Sequence, residues 1–517
     1  MSDNSYVLDA VVKIIKRRQI ESECSASGGR DITQRLMQRE RFHALLVDKS
    51  VSTGEIEKYL SENEYTTFAI DLSEEEIEKT RSAIDKWGLV FSPYEPADTV
   101  YYISHSVNLV LEGMAEHDGV KKDMLFFATD CSYRPHGKIS LVGTNIYLIE
   151  LGRYLLLDLA LIAFTLGDLI RSCQQETGRP HFIEHLSTEH FQNVFSRSWH
   201  RMQLPYLMAS LSEGEKYRIG TSFQFEEDEL KKITHLHMLM TTFLVSHEIA
   251  HVRAGHLSEN SSDIRSVIYE ACFDPNGYLY SFTDTDIDEE QIEKYRTKYL
   301  PLHSLEIAAD AFALGSTISA AVDILGSRYV GVVAGVVVLS VIALLDRAAF
   351  LRGQEIDPAV YMGLDSYNRD YASIDVLFPN EAHPWGKTRL GMLSLTMQIL
   401  MRGEANQDKN EHEFVYRLIQ GAAAPFAMVS GESMALIHYI NNMPGEFFVF
   451  LNNRGLWTKH FQIDSEMQHR PSEIHSDTLL QEFDFSDPFD LYGMRQYVKN
   501  PEDKVVWDAL RRYFMDG

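Results

Sequence analysis

Cysteine is scarce and scattered in this chain of 517 residues. Cys24, Cys131, Cys173 and Cys272 form no CxxC pair, which excludes thiolate zinc modules and thioredoxin-type redox motifs. A metal site must therefore draw on histidine and carboxylate. Basic charge is also short: 48 Lys and Arg against 75 Asp and Glu leave a net charge of −27. A surface this acidic repels phosphate backbones, and no basic patch offsets it, so nucleic acid is not an expected partner. Proline is infrequent at 15 residues, while 45% of the chain is hydrophobic, so collagenous and wholly disordered classes are excluded. The N-terminal MSDNSYVLDAVVKIIKRRQ lacks the long apolar region and small-residue cleavage site of a signal peptide. With unpaired thiols, this gives a cytoplasmic expectation.

What is present reads as a mostly helical α+β protein. Ser73 to Trp87 opens with a serine and three glutamates, as a helix start does. Apolar runs at Met124 to Ala128 and Ile139 to Val142, separated by the turn-rich RPHGK, suggest strands. Leu148 to Ile170 reads as an apolar helix whose charges at Glu150, Arg153, Asp158 and Asp168 suit burial in protein rather than lipid. Tyr217 to Phe225 alternates with a period of two and reads as a half-exposed strand able to pair with an extended substrate. Glu226 to His256 then forms one long helix, with three acids in its first turn and Gly255 near its end. A second helix runs from about Pro301 or Ser304 to Leu325. Tyr329 to Leu345 carries no charge over 17 residues and falls short of the ~20 a bilayer core needs. It is read as a buried helix, and a membrane span stays open as the alternative. The polar stretch Arg402 to Glu413 marks a boundary before the C-terminal region.

The chemistry concentrates on the long helix, at His247-Glu248-Ile249-Ala250-His251. A spacing of four puts both imidazoles on one face, about a turn apart, where both can reach one zinc ion. Glu248 lies beside that face, within reach of a water at the metal, as a general base. The register excludes a third histidine of the metzincin type, because Ala254 and Leu257 stand where glycine and histidine would be needed. His256 is read as a helix-end residue. The second helix supplies a carboxylate instead: Glu306 and Asp310, four apart in LEIAAD, share a face. Glu306 can bind the metal while Asp310 accepts the distal N–H of a ligating histidine. Alanines at 308, 309, 311 and 313 keep that helix slim enough to pack closely on the first. Two other motifs fail. Gly431-Glu432-Ser433-Met434-Ala435 lacks the last glycine of a nucleophile elbow, and the run Asp284, Asp286, Asp288 has Glu289 where a calcium loop needs glycine.

HEIAH, then ExxAD, then His383-Pro384 with Arg389 six positions after the histidine, resembles the gluzincin peptidases of the CAAX-prenyl-protease and HtpX-like group, whose pattern is HExxH, ExxAD and HPxxxxR in this order. The resemblance implies zinc held by His247, His251 and Glu306, Glu248 as base and Asp310 behind the ligands. It further implies that His383 helps bind the oxyanion and that Arg389 orients the oxyanion or the substrate backbone. It also implies a zincin-like core in which the HExxH helix packs on the ExxAD helix beside a small antiparallel sheet. A fainter resemblance is to the prophage-encoded Lit-like peptidases, through HExxH alone. On this reading residues 201–401 hold the metallopeptidase core, 1–200 a helical and mixed region for regulation or substrate recognition, and 402–517 a helical C-terminal region. The expected function is zinc-dependent endopeptidase activity on a protein or peptide. The competing expectation is a non-catalytic zinc-fold scaffold working through its flanks.

Overall fold

The computed structural model describes residues 2–26, 32–63, 72–115, 124–130, 137–143, 145–177, 226–253 and 289–354, together with Arg389 and Leu393. The strand expected at 217–225, His256, the Asp284 to Asp288 run, His383 and the whole region 402–517 lie outside the described residues.

Four helices open the chain: α1 (Ser2–Ala26), α2 (Thr33–Val47), α3 (Thr53–Glu62) and α4 (Glu74–Trp87). The serine and glutamates that mark the start of α4 act as a reciprocal cap. Ser73 accepts from the Glu76 backbone N–H, and the Glu76 carboxylate returns to the Ser73 backbone N–H, so two otherwise unpaired donors are satisfied. Gly88 ends the helix at φ 64°, a left-handed position that favours glycine.

The sheet follows. β1 (Val90–Phe91), α5 (Ala97–Ala115), β2 (Met124–Asp130), β3 (Lys138–Gly143) and β4 (Ile146–Gly152) give the spatial order β1-β2-β4-β3. The β1–β2 and β2–β4 pairs are parallel, and only β3 and β4 pair antiparallel. The sheet is thus mixed, which corrects the antiparallel sheet expected from sequence. The cause is α5, which carries the chain from β1 back to a parallel β2, as crossover helices do. A second correction follows from the same architecture. Leu148 to Gly152, read as the start of an apolar helix, is the end of β4, and the helix α6 (Arg153–Thr177) begins only after it. A strand covered on both faces is a continuous apolar run, which periodicity cannot separate from a buried helix.

Both faces of the sheet are covered. On one, Ile15 of α1 packs on Phe126, Ala128 and Leu148. On the other, Leu125, Phe127, Ile149 and Leu151 meet Ile103 and Val107 of α5 and Val245 and Ile249 of α7 (Glu227–Arg253). This second core seats the HExxH helix against the sheet. After α8 (Glu289–Lys294) and one π-helical turn (Tyr295–Tyr299), the chain continues as α9 (Leu300–Leu325), with Pro301 in its first turn, and then α10 (Arg328–Gln354). The stretch 289–325 is long and apolar enough to cross a membrane by length and composition, and half of its most apolar window is buried in the protein. In α10, Val330 and residues 332–334, 336–339, 341 and 342 are buried hydrophobics. The uncharged run is a core helix here, packed on α7 and α9. Its approach to α9 requires a glycine: a Cβ at Gly331 would come within 2.6 Å of Ile318 Cα.

Under α1 and α2 lies a buried polar network. Glu23 accepts from Arg39 at 2.6 Å and from Arg153, and Glu95 accepts from the Thr129 backbone N–H at 2.7 Å. Burial alone would push the Glu23 carboxyl up, but the guanidiniums of Arg153 and Arg39 outweigh it and bring it down to about 2. Because the folded value lies below the unfolded one, this pairing stabilises the fold above about pH 4.5 and is lost as pH falls towards 2. Glu23→Gln is therefore expected to be less stable at neutral pH and to lose less between about pH 5 and about pH 3. Urea midpoints across that range test it; parallel curves for the two proteins would contradict it.

Candidate metal centre

The site is built on the contact between α7 and α9. Helix α7 begins with Glu227, Asp228 and Glu229, whose charges suit its N-terminus, and buries nearly every residue from Leu236 to His251. Three of its interior polar side chains have backbone partners. Thr241 and Thr242 donate to the carbonyls of His237 and Met238, at 3.1 and 2.9 Å, and His237 Nε2 lies 3.2 Å from the Leu156 carbonyl. His247 and His251 are different, because their rings converge on α9. The facing side of α9 carries Ala309 and Ala313, both fully buried, and such small side chains let Glu306 approach α7 closely.

Three donors form a compact triangle. His247 Nε2 lies 3.1 Å from Glu306 Oε2 and 3.2 Å from His251 Nε2, and His251 Nε2 lies 3.2 Å from Glu306 Oε1. Taking one ligand atom from each residue, the donors all lie within 4.8 Å of one another, close enough to share one ion. His247, His251 and Glu306 are all buried, and they are a group able to hold a metal ion.

Behind the triangle stands a second layer. Asp310 Oδ1 lies 3.0 Å from His247 Nδ1, a close contact in which the ring N–H is not aligned on the oxygen. Arg389 grips the same carboxylate with both arms, Nε to Oδ2 at 2.8 Å and Nη2 to Oδ1 at 2.6 Å. Burial pushes the Asp310 carboxyl up, but Arg389, and then His247, outweigh it and hold it below the usual range. The resemblance put Arg389 at the oxyanion or the substrate backbone. In the structure it is 2% exposed and grips Asp310, which lies 3.0 Å from the His247 ring.

Among the described residues, Glu248, Glu306 and Asp310 bring three carboxyl groups to the centre and Arg389 one guanidinium. If His247 turns Nδ1–H towards Asp310, its bare Nε2 faces the Glu306 carboxylate, lone pair to lone pair. Only a proton or a metal between them relieves this. Accordingly, although burial lowers the His247 pKa, Asp310 and Glu306 outweigh that effect and raise it to about 10. In the ion-free protein, then, His247 keeps a proton that a metal ligand must give up. Zinc added to chelator-treated protein near pH 8 is expected to release about one proton per site, with affinity rising as pH rises. Calorimetric titration in two buffers of different ionisation enthalpy measures this, and a heat independent of buffer would refute it.

One neighbour of the centre was not singled out from sequence. An ideal Cβ built on Gly137, the residue just before β3, would lie 2.1 Å from Glu248 Oε1 and 2.6 Å from its Cδ. The Glu248 carboxyl therefore rests directly under the head of β3. The glycine of RPHGK is visible in the sequence as a turn signal, but no local pattern links it to a residue more than a hundred positions away. Near the start of α9, Tyr295 of the π turn meets His303 Nδ1 at 3.1 Å, another buried pair without a local sequence signature. Compared with protein-family models, with curated proteins and with solved structures, the chain matches none.

Proposed function

We propose that the protein is a zinc-dependent endopeptidase with a zincin-like core formed by α7, α9 and the sheet. The observation that carries this reading is a buried carboxyl group, Glu248, next in the chain to His247 of the His247, His251 and Glu306 triangle, where it can serve as a general base. A scaffold would need the ligands but has no use for the base. Zinc suits the donor set, since two neutral imidazoles and a carboxylate match its catalytic sites and leave a fourth position open. When bound, the ion would supply Lewis acidity, bringing the pKa of a water towards neutrality and polarising a carbonyl.

The chain's own residues then divide the work. His247, His251 and Glu306 would hold the ion, with Asp310 and Arg389 fixing the His247 ring. The Glu248 carboxylate takes the proton of the attacking water and returns it to the leaving amine. An extended substrate would pair along β3, the last strand in the sheet order among the described residues, whose head touches Glu248. His383 is the proposed oxyanion partner.

Metal analysis of the purified protein is expected to give close to one zinc per chain. The test of function is N-terminal sequencing of fragments from a cell lysate exposed to the wild type or to Glu248→Gln. New N-termini specific to the wild type support the reading, and identical fragment sets overturn it.

A further inference from the structure

We infer that Gly137 is a positioning residue for the reaction, kept free of a side chain so that the Glu248 carboxylate occupies the place a Cβ would take. The inference rests on the peptidase reading above and concerns what aims its base. Glu248 is buried, yet among the described residues no donor bonds its carboxylate. Hydrogen bonds to those oxygens would favour the charged form and weaken the base, so a steric guide is the better device for a group that must accept and release a proton.

The contact is specific to the base. Residues 137, 139 and 141 point to one face of the strand and 138 to the other, as alternation requires. Ile139 packs in the core that contains Ile249 of α7, so the face Gly137 would present is the α7 face. There the space is filled by Glu248 Oε1 at 2.1 Å, Glu248 Cδ at 2.6 Å and, less tightly, Leu151 Cδ2 at 3.0 Å from an ideal Cβ. These atoms are the far ends of flexible side chains, not backbone. Gly137 is not among the described glycines with positive φ, so alanine meets no backbone strain there. Adding one methyl group is therefore tolerable to the fold and displaces the carboxylate proposed as the base.

The experiment compares the full-length wild type with Gly137→Ala, Glu248→Asp and the double variant, each loaded with zinc. All four are expected to hold one metal per chain, because the ligand triangle does not include Gly137. Gly137→Ala should lower kcat by ~100-fold or more with KM little changed. Shortening the carboxylate by one methylene withdraws it from the added methyl, so the double variant should be no slower than Glu248→Asp alone. Thermal unfolding should show the same coupling: Gly137→Ala lowers Tm, and in the Glu248→Asp background the same change has a smaller effect. Wild-type kcat in Gly137→Ala, or additive Tm shifts, would overturn the inference. The unfolding cycle needs no activity, so it decides the contact even if the wild type cleaves nothing, an outcome that overturns the peptidase reading alone.

Discussion

Glu248→Gln is expected to bind zinc as the wild type does and to lose hydrolysis, with kcat reduced by ~10²–10⁴-fold. The change is nearly isosteric. Glutamine fits the same buried space under Gly137, leaves the His247, His251 and Glu306 triangle intact, and removes only the ability to take a proton. His247→Ala has a different profile. It deletes a ligand and leaves Asp310 facing an empty space, so metal and activity should both disappear. The pair of variants thus separates holding the ion from using it. Dialysis against zinc followed by metal analysis gives the first readout, and cleavage of a substrate found in the lysate experiment gives the second. Full activity in Glu248→Gln would remove the base from its role. A wild type that binds one zinc and cleaves nothing would instead favour the scaffold.

The second large effect is expected at Asp310. Its carboxylate is shared between the His247 ring, 3.0 Å away, and both arms of Arg389. Asp310→Ala removes the carboxylate that both arms of a guanidinium only 2% exposed grip, and breaking a buried pair by removing one partner costs about 3–5 kcal/mol. It also frees the His247 ring, for which a loss of about 10–100-fold in metal affinity is expected. The two losses can be separated. Replacing both members with apolar residues, Asp310→Leu with Arg389→Met, removes the buried ion pair as a whole and should recover much of the stability. It cannot restore the orientation of His247, so zinc affinity should stay low. Denaturant unfolding and competition with a chromogenic chelator follow the two quantities independently. Recovery of affinity together with stability would mean that Asp310 acts only through packing.

Much of the site is legible because it is written in helix periodicity. The four-residue spacings in HEIAH and in Glu306 to Asp310 put each pair on one face, and the acids at the start of α7 and the capping serine of α4 mark where those helices begin. Such signals are local, and they survive into the structure nearly residue for residue. The parts that were missed depend on distance. β4 was read in part as helix because a strand covered on both faces loses its alternation. The resemblance implies an antiparallel sheet, and nothing local in β2 or β4 says otherwise, because neither strand marks which neighbour it will find across an intervening hairpin. The partner of Arg389 is 79 positions away. An arginine after a His-Pro pair carries no mark saying whether it will meet a substrate or a buried aspartate. Gly137 is the extreme case, since its contribution is an absent atom.

The crossing of α9 and α10 at Gly331 has a consequence for how the candidate centre would exchange a metal. α7, α9 and α10 each pack on the other two, and both ligand-bearing helices are held by that packing. The entropy of ordering the three ligands is therefore lost when the chain folds, not when the ion arrives. Small zinc modules differ, because metal drives their folding. Here the vacated centre should persist as a shaped, carboxyl-lined socket, and one divalent ion should replace another without the helices coming apart.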